Sequence, residues 1–416
     1  MRGCLPLVLT ALLASAAWGQ VAGRAPTRGG TQPAARPGTP LATRGATLPA
    51  TRAATQPVLR TFDTPYYTLH TDVTEQEARE TDLRLTRMFE EYRQRTAGFA
   101  GQVKEKLPFY LFRKEADYHA AGGPEKSAGV YIEARDGKRL MALAGDHVDD
   151  YTWSVVQHEG FHQFAAAAIK YDLPIWANEG LAEYFGEGQW TGDGFVTGLI
   201  SSSRLDHVRQ GIRSGFRPFK QLMALTEEEW SKDLKEANYD EAWSMIHFLG
   251  HADNGRYQGA FLQFMTAVSK GVPGQQAWEG AFGRDTDAFQ LKYAQWWLAL
   301  PDHPTQLLFL RVLVQTDTSF LARAFILKQS FPDAETFLRK YQPPDFGLNR
   351  DLWLPPKLFT GFNDIAPDIG RWSFQGQRLV LQLPDGTTLV GSFAVANGKV
   401  ARVAVDVAPP PMGRGG

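Results

Sequence analysis

The chain of 416 residues has a single cysteine, Cys4, and it lies beside an N-terminal apolar run. Cleavage of that run as a leader would leave no cysteine, so no disulfide would staple the remaining chain, and a core of this size does not need one. Long apolar runs are also scarce. Residues 5–14 are too few to span a bilayer, which takes about 20 residues of helix, and no later segment is apolar enough to do so. An excess of charge of either sign is missing as well: 44 Lys and Arg face 45 Asp and Glu, a net charge of −1, with a pI of about 6.8. Bulk electrostatics therefore offer nothing to a polyanion. The balance hides an asymmetry, because residues 1–62 carry seven arginines and no acid, which leaves the rest of the chain at a net −8. Such an acidic body argues against nucleic acid as a partner.

What stands at the N-terminus reads as an export signal over residues 1–19. Arg2 supplies the positive end, residues 5–14 the apolar core and Ala17-Trp18-Gly19 a small-x-small cleavage site. The expected location is periplasmic or extracellular, in a bacterial cell envelope. Residues 20–60 are dominated by Ala, Thr, Pro, Gly and Arg, with loose repeats such as Ala42-Thr43-Arg44 and Ala50-Thr51-Arg52. Such a stretch cannot bury enough apolar area to offset its ordering entropy, so it reads as a disordered linker.

The chemistry is concentrated in His158-Glu159-Gly160-Phe161-His162. The two histidines are four residues apart, so on a helix they share one face with about 6 Å between them. Imidazoles so placed converge on one metal ion at about 2.0–2.1 Å each. Glu159 is rotated by about 100° around the helix, which keeps it off the metal and within reach of water. Histidine and glutamate suit zinc and leave a fourth position open; bound zinc lowers the pKa of water to about 7. The plain alternative is a buried, hydrogen-bonded histidine pair. A second stretch, Asn178-Glu179-Gly180-Leu181-Ala182-Glu183-Tyr184-Phe185, weighs against it. Asp172-Leu173-Pro174 reads as a helix start and Gly186 as its stop. Glu179 and Glu183 are again four apart, so one carboxylate can ligate the metal while the other receives the second N–H of a ligating histidine. A solvated acidic face is the alternative, but Trp176, Leu181, Tyr184 and Phe185 mark the helix as buried.

His158-Glu-x-x-His162 followed by Asn178-Glu-Gly-Leu-Ala-Glu183 resembles the gluzincin metalloproteases of the peptidase MA-like superfamily, and within it the bacterial branch known as domain of unknown function 1570. The resemblance covers about residues 62–300. It implies one zinc ion per chain held by His158, His162 and Glu179, with Glu183 supporting His158. Sixteen residues separate His162 from Glu179, slightly fewer than in the best-known members, and a turn between two helices accommodates the difference. The resemblance further implies hydrolysis of a peptide or protein substrate, with Glu159 taking a proton from water and passing it to the leaving amine. A tyrosine or histidine from a later helix would steady the oxyanion. Tyr239-Asp240-Glu241-Ala242-Trp243 resembles the tyrosine-bearing segment of the gluzincin aminopeptidases, which makes Tyr239 the candidate; an ordinary aromatic at a helix start is the alternative. His207, His247 and His251 are weaker candidates, and His70, His119, His147 and His303 show no ligand spacing. The Gly-x-Met-Glu-Asn motif that anchors a free amino terminus in those aminopeptidases is absent, which points to an endopeptidase.

The rest of the chain gives an α+β layout. Strands are expected near residues 62–71, 108–112, 129–132 and 139–143, and an amphipathic helix from Thr74 to about Thr96, all ahead of the motif helix. Helices dominate after it, as the zincin-like fold implied by the resemblance requires. Within that fold Leu140, Met141 and Ala142 are expected on an edge strand that pairs with extended substrate; an interior strand is the alternative. Residues 61–300 form the expected catalytic domain and 301–354 a helical connector, with two or three short helices over residues 304–342. Residues 355–408 form a small β-meander with turns at Asp385-Gly386 and Asn397-Gly398, and 409–416 a disordered tail. Two other functional readings stay open: a non-catalytic secreted binding or scaffold protein that keeps a zinc site, and a hydrolase of a non-peptide envelope amide. Glu159 counts against the first, since a structural zinc site needs no general base and prefers four protein ligands.

Overall fold

The parallel part of the main sheet sets the position of everything that follows. In a computed structural model, which describes residues 58–410 except 135–136, 147, 233–235 and 364–368, five strands form one sheet. They are β1 (Arg60–Asp63), β2 (Tyr67–Thr71), β3 (Leu107–Phe112), β4 (Gly129–Ala134) and β5 (Gly137–Leu143), in the order β1-β2-β3-β5-β4. The expected leader with Cys4, nearly all of the expected linker, His147 and the end of the tail lie outside the described residues. β2, β3 and β5 are parallel, and β1 and β4 are antiparallel to their neighbours. A parallel step needs a crossover, which α1 (Glu75–Thr96) supplies between β2 and β3. The Thr74 side chain accepts from Glu77 N and the Glu77 carboxylate accepts from Thr74 N at 2.8 Å, a capping box that starts α1 where the sequence placed it. The short α2 (Glu115–Ala120) follows β3.

Strand order corrects the expectation for residues 139–143. β5 pairs with β3 on one side and with β4 on the other, and Leu140, Met141 and Ala142 are each 0% exposed. Leu140 and Ala142 enter the main core while Met141 packs with Phe112, Tyr118 and Val130 on the opposite face. A strand that is apolar on both faces is an interior strand. The edge belongs to β4, which carries Tyr131 and Glu133 and pairs with no other strand among the described residues.

α3 (Asp150–Ala168), capped by the Asp149 side chain on Thr152 N at 2.7 Å, packs against this sheet, and α4 (Ile175–Gly186), which begins after Pro174, packs against α3. The start of α3 is pinned from α1 by Arg84, whose guanidinium lies 4.6 Å from the Trp153 ring and 4.5 Å from that of Trp190. A two-stranded ribbon, β6 (Gln189–Trp190) and β7 (Phe195–Val196), leads into a helical half. It comprises α5 (Ser202–Ser214), α6 (Phe219–Ala224), α7 (Glu227–Lys232), α8 (Glu236–Gly255), α9 (Gln258–Val268), α10 (Gly274–Phe282) and α11 (Thr286–Ala299). α8 kinks near its end, where Asp253 and Asn254 take left-handed φ values of 50° and 59°. α4 packs against α8 at Gly180: a Cβ there would sit 2.5 Å from the Ala242 carbonyl oxygen and 2.6 Å from Ile246 Cγ1. Any larger residue would push the two backbones apart.

The C-terminal part departs from expectation in one respect. Residues 304–342 hold two helices, within the expected number, but the first, α12 (Gln306–Ile326), is long at 21 residues rather than short. Its polar centre, Gln315-Thr316-Asp317-Thr318-Ser319, is buried throughout. α13 (Ala334–Lys340) and α14 (Pro356–Asn363) precede β8 (Arg371–Gln375), β9 (Arg378–Gln382), β10 (Thr388–Ala396) and β11 (Lys399–Ala408). The strands form the expected antiparallel meander, in the order β11-β10-β9-β8. Gly386, Asn397 and Gly398 all have positive φ, as tight hairpin turns demand. Leu313 and Phe320 of α12 share a core with Leu354, Leu379, Leu381 and Leu389, so connector and meander pack as one unit. No helix among the described residues is long and apolar enough to cross a membrane.

Candidate metal centre

Helical spacing brings His158 and His162 together on the buried flank of α3, and α4 crosses over them to deliver Glu179. His158 Nε2 lies 3.2 Å from His162 Nε2 and 3.4 Å from Glu179 Oε2; His162 Nε2 lies 3.6 Å from Glu179 Oε1. Ligands about 2.0–2.1 Å from a tetrahedral zinc ion stand about 3.3–3.4 Å apart, so the three side chains fit such an ion. Two further observations fit it. Apart from the two imidazoles, neither buried carboxylate oxygen of Glu179 has a hydrogen-bond donor among the described residues. Two imidazole nitrogens also face each other at a distance where one shared cation satisfies both lone pairs. Among the described residues this is the one group of three or more His, Cys, Asp or Glu side chains that could hold a metal ion.

The same elements set the electrostatics. Burial pulls the His158 imidazole down, but its bonds to Glu179 and Glu183 outweigh that and carry its pKa up to about 10. Burial pushes the Glu179 carboxyl up, but His162 and His158 outweigh it and hold the group down at about 2. The buried trio therefore balances charge internally, imidazolium against carboxylate, and a metal ion would have to displace a proton from His158.

Around the trio, His158 Nδ1 lies 3.1 Å from Glu183 Oε1, one turn beyond Glu179 on α4. Gln157 fixes α4 from α3: its Nε2 reaches the carbonyls of Phe185, Gly186 and Gly188 at 3.1, 3.1 and 3.0 Å. Tyr92 donates to the Gln157 carbonyl from α1. Glu159 points the other way, toward the sheet edge, where its Oε2 accepts from Tyr131 N of β4 at 3.0 Å. Burial raises its proton affinity, opposed by His158, His162 and that N–H. Tyr239, on the first turns of α8, reaches the site from the opposite side. Its ring centroid is 6.4 Å from that of His158, edge-on to Trp230 at 5.4 Å, and its hydroxyl is buried with no hydrogen-bond partner among the described residues. Burial, then the nearby Glu179 carboxylate, hold the phenol protonated.

His158, Glu159, His162, Glu179, Glu183 and Tyr239 thus meet in one place. Leu140, Met141 and Ala142 do not, for the reason given by strand order. His247 and His251 lie in the helical core, bonded to the Gly198 carbonyl and the Tyr184 hydroxyl. His70, His119 and His303 bond to Thr61, Gly123 and Ser202 away from the site. Sequence reading missed two contributors. One is Tyr131, whose role is a backbone N–H and leaves no trace in residue type. The other is Arg204 of α5, which is 7% exposed and touches Glu183, Glu187 and Asp240. Its signal was an arginine at a buried helical position, beside Leu205 and four residues before Val208.

No curated protein matches the chain. Residues 152–274, which run from the first turn of α3 through α9 and contain all six convergent side chains, match the model of the family described as "Protein of unknown function (DUF1570)".

Proposed function

We propose that the chain is a zinc-dependent hydrolase, most simply an endopeptidase of gluzincin type, with one zinc ion held by His158, His162 and Glu179. The observation that carries this reading is the convergence of three ligand atoms within 4.8 Å beside a buried glutamate that is not one of them. Zinc, when bound, supplies a Lewis acid that makes water nucleophilic near neutral pH and polarises a carbonyl. The other roles belong to the protein. Glu183 accepts the Nδ1 proton of His158, which fixes the tautomer and leaves Nε2 as a ligand. Glu159 has one oxygen tied to the β4 backbone, and its other oxygen takes the proton of the attacking water and returns it to the leaving amine. Its raised proton affinity suits that exchange. Tyr239 donates its hydroxyl proton to the oxyanion that develops, a role open to it because the hydroxyl has no other partner among the described residues. Extended substrate is read by β4, the edge strand beside Glu159, rather than by β5. The polypeptide is exported, on the strength of residues 1–19, and acts on peptide or protein in the periplasm or outside the cell.

Glu159→Gln is the test. The variant should bind as much zinc as the wild type, by elemental analysis, and hydrolyse a peptide library about 10²–10⁴-fold more slowly. Wild-type rates in the zinc-loaded variant would remove Glu159 from the mechanism. No hydrolysis by a zinc-loaded wild type of peptides or envelope amides would favour a binding protein instead.

A further inference from the structure

One guanidinium is more deeply embedded around the centre than any mechanistic step requires. Arg204 Nη2 lies 2.8 Å from Glu183 Oε2, Nη1 3.1 Å from Glu187 Oε1 and Nε 2.8 Å from Asp240 Oδ1. Its flat face rests on Trp243, 4.6 Å from the ring. Three helices are joined at this point: α5 provides the arginine, α4 one acid and its C-cap residue a second, and α8 the third. We infer that Arg204 is the positioning residue of the metal centre, holding Glu183 so that His158 presents Nε2 to the ion. This rests on the zinc reading above.

The argument is geometric. Glu183 has two carboxylate oxygens with separate tasks: Oε1 faces His158 Nδ1 at 3.1 Å and Oε2 faces Arg204 at 2.8 Å. A carboxylate held at only one oxygen can rotate about its last side-chain bond; one held at both cannot, and neither can the imidazole that donates to it. A guanidinium is suited to this because its donors form a rigid planar fork, whereas an ammonium is a point charge. Stacking on Trp243 fixes the plane of that fork. Asp240, the third partner, directly follows Tyr239 in the chain, so the same arginine also fixes the turn of α8 from which the tyrosine projects. The ligand and the hydroxyl donor thereby share one anchor. A salt bridge of purely structural value would have no reason to terminate on the acid that supports a ligand.

The test measures zinc affinity, by competition with a chromogenic chelator, and the visible spectrum of the cobalt-substituted full chain. It compares Arg204→Lys, Glu183→Gln and the double variant. Removing a partner that orients a ligand weakens metal binding by about 10–100-fold. Arg204→Lys and Glu183→Gln should each do so and shift the cobalt spectrum in the same direction. The double variant should bind no more weakly than Glu183→Gln alone, because the arginine acts through that acid. Zinc binding by Arg204→Lys equal to wild type, or losses that multiply in the double variant, would overturn the inference while leaving the zinc reading intact. A wild type that binds no zinc would overturn both. Should Arg204→Lys not fold, Arg204→Gln/Glu187→Gln removes one cation and one anion together and is compared with Glu187→Gln alone. The same 10–100-fold loss is expected between them, and equal affinities would overturn the inference.

Discussion

Glu179 on α4 and Asp317 on α12 are both 0% exposed, and the protein treats them in opposite ways. Two imidazoles converge on Glu179 and hold it ionised, at about 2. Asp317 has no hydrogen-bond partner for either oxygen among the described residues, and burial alone drives its proton affinity far above the usual range. A buried acid is therefore not in itself a sign of function. Left alone it keeps its proton and becomes a small polar defect; faced by imidazoles that can carry positive charge, it ionises, and a metal ion could take the place of that charge. Tyr239 is intermediate. Like Asp317 it has no hydrogen-bond partner among the described residues, but it lies beside Glu179 and His158, where an incoming group could use its hydroxyl.

Substitutions can break this contrast, and the largest effect belongs to Glu179. Glu179→Ala should reduce zinc from about one ion per chain to a trace, measured by elemental analysis after dialysis. Retention of a full equivalent would mean that Glu179 is no more a metal ligand than Asp317 is. Tyr239→Phe is the next largest. Loss of one oxyanion donor slows turnover by about 10²–10³-fold, with zinc content and KM little changed. A change confined to KM would class Tyr239 with the packing aromatics. Gly180→Ala tests the close approach of helices that delivers Glu179. The added methyl meets the Ala242 carbonyl oxygen at 2.5 Å, and backbone is slow to yield, so a loss of about 1–3 kcal/mol in urea unfolding is expected, together with weaker zinc binding. Unchanged zinc affinity at reduced stability would separate the packing of α4 from the geometry of the ligand.

The contrast also explains which parts could be read from sequence. His158, Glu159, His162, Glu179 and Glu183 were legible because a single helical period carries them, and each lies at a spacing that side-chain chemistry alone makes meaningful. The N-cap at Thr74 and the Asn397-Gly398 turn were legible for the same local reason. The edge strand was not. Whether β4 or β5 lies outermost depends on how the hairpin pairs with β3, and both strands are rich in β formers; only the two-sided apolar character of Leu140, Met141 and Ala142 hinted that β5 is interior. α12 runs longer than expected, through five polar residues in a row, Gln315 to Ser319. Burial of that stretch depends on partners distant in sequence, among them Gly391, where a Cβ would lie 1.9 Å from Thr318 Oγ1. Arg204 escaped for a related reason. Its three acids come from positions 183, 187 and 240, which no local pattern connects.

The smallest expected effect is the one that tests the other half of the contrast. In the fold Asp317 binds its proton more tightly than in the unfolded chain, where its pKa is about 3.9. Stability from this group is therefore full below about pH 4 and is lost as pH rises toward the folded value. Asp317→Asn keeps the shape of the side chain and cannot ionise, so it removes that loss. In urea unfolding the variant should match the wild type near pH 4 and exceed it by about 1–3 kcal/mol at pH 8. Glu179 predicts the reverse sign: its depressed value contributes stability at neutral pH that fades as pH falls toward about 2. A gain at Asp317 that is independent of pH would point to packing rather than to the proton. A variant less stable than wild type at pH 8 would mean that Asp317 is ionised and partnered, and the opposition between the two acids would then be lost.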